Sequence, residues 1–189
     1  MDVLYYIGGG SMHGNRELMY SLRALEKHCQ DIGEVWIVGN RPFFLKNVHY
    51  LWIEDKGAFW QNAFNKTLAA IKAGISSDFL LMNDDFYMLS NFKASEYPAY
   101  YRGELPKTST RAYTDMLVNT RRILENNHFG TLNYGVHCPM VINGDKYCEI
   151  EKYMTSPASP RCLYGNMFCE GVKTTDCKGD DLIEHETKC

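Results

Sequence analysis

Hydrophobic positions in the first half of the chain alternate between short unbroken apolar runs and helical stripes, the pattern of an α/β sandwich around a mainly parallel sheet. Residues 2–7 read as the first strand, and Gly8-Gly9-Gly10 follows it. Residues 15–29 place Leu18, Leu22, Leu25 and Cys29 on one stripe of an amphipathic helix, with Arg16, Arg23, Glu26 and Lys27 on the side that meets water. Residues 35–38 and 49–53 predict two more short strands, with Asn40 and Asp55 at their ends. A second helix repeats the stripe through Phe64, Leu68, Ile71 and Ile75 and closes at Gly74 and Ser76-Ser77. Phe79-Leu80-Leu81-Met82 is a run of buried-strand type that stops abruptly at Asn83-Asp84-Asp85.

The second half is less periodic. Residues 91–110, with Tyr97-Pro98, Tyr100-Tyr101 and Pro106, predict a long loop, and loops of that length are often functional. Met116, Leu117, Thr120, Ile123 and Leu124 support a third helix over 112–126. Residues 136–142 predict a strand interrupted by Pro139, hence an edge or bent strand, and Asp145 is placed to cap a short helix ending near Met154. From Thr155 onward, Pro157, Pro160 and scattered glycines and cysteines predict an irregular closing segment, frayed after Asp181. With no repeat, low-complexity run or linker, residues 1–189 read as a single domain.

Composition narrows the function classes. A chain of 189 residues with 45% hydrophobic and 23% charged residues is an ordinary globular sequence, neither disordered nor fibrous. Its net charge of −3 argues against a protein that holds nucleic acid mainly by charge. No apolar run approaches the roughly 20 residues that span a bilayer, and the start shows no basic leader, so no membrane span and a cytoplasmic location are expected. The seven cysteines form no Cys-x-x-Cys pair and read as reduced thiols, with pairing among the last five as the alternative.

Candidate chemistry gathers at the ends of the strands. In open α/β sheets ligands collect at the carboxyl ends of the strands, which is where Asn83-Asp84-Asp85 falls. Adjacent carboxylates repel unless a cation or donor lies between them, and magnesium takes one or two carboxylates with the remainder from substrate oxygens and water. The same residues are favoured in turns and caps, so both readings stand. The triple glycine allows close backbone approach or simply a turn. It is not the dinucleotide fingerprint, because Gly8, Gly10 and Gly14 leave three residues in the second gap and Asn40 stands where a ribose-binding acid belongs. Asn40 and Asp55 suit a base or ribose, or plain loops. His137 has the chemistry of a general base, and Arg161 has the planar fork that grips phosphate, although a structural histidine and a solvated arginine are the bland alternatives. The remaining histidines, His13, His28, His49, His128 and His185, show no metal-ligand spacing, and no Gly-x-Ser-x-Gly elbow is present. The aromatics Phe86-Tyr87 and Tyr97 to Tyr101 suit stacking on a base or sugar, or packing.

Asn15-Arg16-Glu17-Leu18 with the helix that follows it, Val35-Trp36-Ile37-Val38-Gly39-Asn40, Phe79-Leu80-Leu81-Met82-Asn83-Asp84-Asp85-Phe86, the opening Asp2-Val3-Leu4-Tyr5, His137-x-Pro139 and Arg161 together resemble the Stealth family of sugar-phosphate transferases. With Leu163-Tyr164-Gly165-Asn166 they are similar also to short glycosyltransferase-like proteins of bacteria and phages. The resemblance implies a GT-A-like, Rossmann-like nucleotide-sugar-binding sandwich and a metal-dependent transferase. Asp85 with Asp84 or Asn83 would hold magnesium or manganese against the donor's pyrophosphate. Gly8, Gly9, Gly10, Ser11, Asn15, Asn40 and Asp55 would cradle the nucleotide. His137 would act as base on the acceptor hydroxyl, Arg161 would stabilise phosphate oxygens, and Asp176 would be a further polar site residue. The acceptor stays open among a glycan, a polymer, a protein and a modified base. The chain carries Gly9 and Gly14 where family members usually carry acids, which leaves a catalytically silent binding or interaction module as the alternative. A cysteine-organised metal module in the last fifty residues is a third reading.

Overall fold

The computed structural model describes residues 1–9, 11 and 14–174. In chain order these form β1 (Asp2–Ile7), α1 (Arg16–His28), β2 (Val35–Gly39), β3 (His49–Leu51), α2 (Phe59–Ala73), β4 (Asp78–Met82), β5 (Ala99–Tyr101), α3 (Ala112–Asn126), β6 (Met140–Asn143), α4 (Gly144–Glu149), α5 (Pro160–Phe168) and β7 (Gly171–Lys173). The central sheet has the order β3-β2-β1-β4-β6, parallel throughout except for β6, which runs antiparallel to β4 at the edge. A small parallel pair, β5 and β7, stands apart from it.

Alternation along the strands divides the core between the two faces of the sheet. Val3, Tyr5 and Ile7 of β1 and Leu80 and Met82 of β4 pack with Leu18 and Leu25 of α1. Leu4, Phe79 and Leu81 face the other way, onto Phe64 and Leu68 of α2 and onto α3 and α5 through Met116, Leu124, Leu163 and Tyr164. Burial on both faces explains why β1 and β4 read as unbroken apolar runs; each such side chain contributes about 1.5–3 kcal/mol. One polar relay crosses the α1 face. The buried Ser21 hydroxyl donates to the Phe86 carbonyl at 2.5 Å and accepts from the Tyr5 phenol at 2.9 Å. At the far end of the sheet, Asp2 accepts from the backbone N–H groups of Glu34 and Ser76, and Asp31 accepts from those of Ala94 and Ser95. Burial opposes ionisation of Asp31, but a hydrogen bond from the Ser95 side chain, together with those backbone bonds, holds its carboxyl down at about 2.

Several expectations are corrected. Residues 91–110 are not loop throughout, because a 3₁₀ turn (Ala94–Glu96) and β5 lie inside them; β5 exists by pairing with the distant β7. The strand expected over 136–142 is only Met140–Asn143, so His137 lies on a bend before it, where Pro139 prevents earlier pairing. It is an edge strand, as Pro139 suggests. Asp145 does not cap α4; Asn143 does, its side chain accepting from Lys146 N, while Asp145 occupies the first turn. The segment from Thr155 is not irregular throughout its described part, residues 155–174. It holds α5, with Ser159 as N-cap and Pro160 in the first turn, so Arg161 is helical rather than in a loop. The strand predicted over 49–53 stops at Leu51, and the second helix ends at Ala73 with Gly74 left-handed, leaving Ile75 buried beyond it. Residues 175–189, and with them Asp176 and the fraying after Asp181, lie outside the described residues, as do Gly10 and His13. Cys29, Cys148, Cys162 and Cys169 are free thiols.

Gly39 shows how tightly the strand ends are drawn together. It pairs with Ile7 at a φ of 120°, and a Cβ there would fall 2.0 Å from the Ile7 carbonyl oxygen. Backbone cannot step aside as a side chain can. Gly39→Ala is therefore expected to cost upwards of about 3 kcal/mol, read as a lower urea midpoint at unchanged slope.

Candidate functional site

The strand order turns back at β1, with β2 and β3 on one side and β4 on the other, so the loops after these parallel strands open at one edge of the sheet. After β4, Asn83-Asp84-Asp85 forms a turn in which Phe86 N donates to the Asn83 carbonyl at 3.3 Å. The Ser21 hydroxyl grips Phe86 from α1, which anchors the acid-bearing turn to the β1 side of the core. Two recesses meet there. A cleft of about 410 Å³ is lined by Tyr6, Asn83, Asp85, Arg102, His137 and Arg161 among others, and a recess of about 370 Å³ by Gly8, Ser11, Glu17, Asp84 and Asp85. Asp85 belongs to both.

The recess is strongly acidic. Burial, then the charges of Asp85 and Glu17, push the Asp84 carboxyl above its ordinary range. The neighbouring phenols of Tyr6 and Tyr87 are raised by burial and, further, by Asp84 and Asp85; Arg161 pulls Tyr6 partly back. Among the described residues no group of three or more His, Cys, Asp and Glu side chains forms a complete ligand set for a metal. Two hard carboxylates crowded into one recess nonetheless fit magnesium or manganese, whose remaining ligands would be substrate oxygens and water. The sign of the Asp84 shift yields a prediction. A carboxyl whose folded value is raised stabilises the fold while protonated, below about pH 4, and loses that contribution as pH rises through the folded value. Once ionised, above its folded value, Asp84 therefore costs stability. Asp84→Asn is expected to raise Tm at pH 7, by about 2–4 °C for each kcal/mol of relieved repulsion, and to lose that advantage below pH 4.

His137 and Arg161 stand along the cleft. His137 Nε2 lies 3.3 Å from Asp85 Oδ2, and the imidazole packs edge-on against Phe86 at 4.7 Å between ring centroids. Arg161 is aimed by backbone: Nε donates to the Tyr134 carbonyl at 2.9 Å, and Nη2 to the Pro139 carbonyl at 3.2 Å and towards Cys138 Sγ at 3.8 Å. These contacts use three of its five N–H donors and leave Nη1 out of them. The helical start at Ser159-Pro160 brings Arg161 to the cleft wall.

The described residues expected to cradle a nucleotide, Gly8, Gly9, Ser11, Asn15, Asn40 and Asp55, lie near the end of β1. Ser11 donates to both Glu17 carboxylate oxygens, at 3.0 and 3.1 Å, and accepts from Asn15 N at 3.0 Å. Gly14 and Asn15 both take left-handed backbone, with φ of 62° and 58°, which favours glycine at position 14. Asn15 Oδ1 is buried with no hydrogen-bond partner among the described residues. A Cβ on Gly8 would lie 3.9 Å from Asp55 Oδ2, and one on Gly9 would lie 2.8 Å from Asn40 Nδ2, so all four positions converge. Several lining residues escape sequence reasoning. Glu17 sits three residues beyond Gly14 and carried a usable signal in Asn15-x-Glu17. Tyr6, Arg102 and Tyr113 reach the cleft from a strand, a loop and the first turn of α3, and no local pattern marks them.

No helix among the described residues is long and apolar enough to cross a membrane. The chain matches no known family model and no curated protein.

Proposed function

We propose that this chain is a metal-dependent transferase with a GT-A-like fold that moves a glycosyl or hexose-1-phosphate group from a nucleotide-sugar donor to an acceptor hydroxyl. The observation that carries this reading is the placement of Asp85: it lies in the turn that follows the buried strand β4, shares the glycine-loop recess with Asp84, and lies 3.3 Å from His137 in the adjoining cleft. Donor phosphates belong at Asp85, where the recess beside Gly8 and Ser11 meets the cleft, so that the outer phosphate reaches Arg161, and the acceptor belongs in the cleft beside His137. Asp84 and Asp85 would hold magnesium or manganese, which when bound neutralises charge growing on the leaving phosphate. His137, held 3.3 Å from Asp85, would take the acceptor's hydroxyl proton. Arg161 offers Nη1 to phosphate oxygens.

Two bond changes are open to this arrangement. Attack of the acceptor oxygen on the anomeric carbon breaks the carbon–oxygen bond and releases a nucleoside diphosphate. Attack on the distal phosphorus breaks the phosphoanhydride and releases a monophosphate. Identification of the released nucleotide separates them. The alternative, a silent binding module, is favoured by Gly9 and Gly14 at positions where the resembled family carries acids. The test is a thermal-shift screen of nucleoside diphosphates and nucleotide sugars with and without manganese, followed by turnover with the best ligand. A manganese-dependent rise in Tm is expected, growing with ligand concentration over Kd. No stabilisation by any nucleotide overturns both readings, and binding without turnover or hydrolysis leaves only the silent module.

A further inference from the structure

Lys66 lies beneath the cradle and has no part in the roles assigned above. It projects from α2, is only 2% exposed, donates to the Ile7 carbonyl at 2.7 Å and pairs with Asp55 Oδ1 at 2.5 Å. Its stem fills the space beside Gly39, where a Cβ would come within 3.2 Å of Lys66 Cε. Taking an ammonium out of water is costly, and an apolar side chain of the same volume often serves stability as well or better. What an apolar side chain cannot do is fix the direction of a carboxylate.

We infer that Lys66 is a positioning residue: by holding Oδ1 of Asp55 and the carbonyl end of β1 together, it sets Oδ2 beside Gly8 to accept a ribose hydroxyl of the donor nucleotide. The inference rests on the nucleotide-sugar reading above. Three features of the site support it. Asp55 is 37% exposed while its lysine partner is 3% exposed, so the pair presents its acidic half to a ligand and buries its basic half. An ionised carboxylate only accepts hydrogen bonds and repels phosphate, which points to hydroxyl or N–H donors. With Oδ1 engaged by the ammonium, one oxygen remains for the ligand; that matches a hydroxyl better than a base edge that would need both oxygens. Gly8, without a Cβ, leaves Oδ2 approachable from the side of the glycine turn.

The test is a double-mutant cycle read as affinity for a nucleoside diphosphate with manganese, measured by titration calorimetry with the ribo form and with its 2′-deoxy and 3′-deoxy counterparts. Lys66→Met and Asp55→Asn are each expected to weaken the ribo ligand by about tenfold to a hundredfold and to erase its preference over one deoxy form. The double variant is expected to be no weaker than either single one, because Lys66 acts only through Asp55. Lys66→Gln, which keeps an N–H donor at that depth, is expected to recover part of the affinity. If Lys66→Met does not fold, Lys66→Gln and Asp55→Asn carry the same comparison. A wild-type protein that binds the nucleotide while losses at Lys66 and Asp55 simply add, or while hydroxyl preference survives in Asp55→Asn, overturns this inference and leaves the transferase reading intact. A wild-type protein that binds no nucleotide removes both.

Discussion

Asp85→Ala is expected to lower turnover by at least about 10³-fold in the proposed transferase and to remove its response to manganese. Two losses combine in that substitution. One carboxylate leaves the acidic recess, and Nε2 of His137 loses its partner at 3.3 Å. Misplacing a general base or removing a charge-stabilising group each costs about 10²- to 10⁴-fold in characterised enzymes, and effects within one unit do not add. The measurement is nucleotide release under saturating donor across a manganese series. Asp85→Asn separates the contributions, since an amide keeps a polar group of the same shape beside the imidazole but has no charge for the cation. Near-normal turnover by Asp85→Ala would place the chemistry elsewhere.

The second large effect is expected at His137. His137→Gln should reduce kcat by about 10²- to 10⁴-fold while the donor's KM stays close to that of the wild type, because the imidazole acts on the acceptor and not on the nucleotide. The substitution also tests the division of the site. His137 lines the cleft but not the glycine-loop recess. A parallel loss of donor affinity would mean that the donor, and not the acceptor, lies against His137. The opposite pattern is expected for Arg161, whose Nη1 donors face phosphate in the proposed complex, so that its replacement weakens the donor as well.

Asp84 complements these predictions from the stability side. An acid that is pushed up by burial and by two neighbouring carboxylates destabilises the metal-free fold, and its retention is the kind of cost that functional sites carry. A more stable and less active Asp84→Asn would join the two sides in one variant.

Much of the site was legible because its residues fall at punctuation marks in the hydrophobic pattern. Asn83-Asp84-Asp85 ends an apolar run, Gly8 follows another, and Asn40 and Asp55 close two more. Parallel strands bring such ends to one edge whatever the loops do. His137 and Arg161 were named for their chemistry and not for their surroundings. Their neighbours could not be read, since Asp85 meets His137 across 52 residues of separation and Arg161 is aimed by carbonyls of a bend more than 20 residues away. The helix that carries Arg161 had a usable local sign in Ser159-Pro160, a capping residue followed by proline, hidden by the surrounding glycines and cysteines.

By itself the sequence determined the sandwich: periods of two and of 3.6 residues, glycine at the helix end and apolar runs bounded by polar residues all act within a few positions, so local pattern specifies β1 to β4 and α1 to α3. Tertiary structure alone decided which acid is buried and charged against its neighbours, that Lys66 is sunk beneath Asp55, and that β5 becomes a strand by pairing with β7. Desolvation and strand pairing depend on atoms far apart in the chain, and no window of residues contains them.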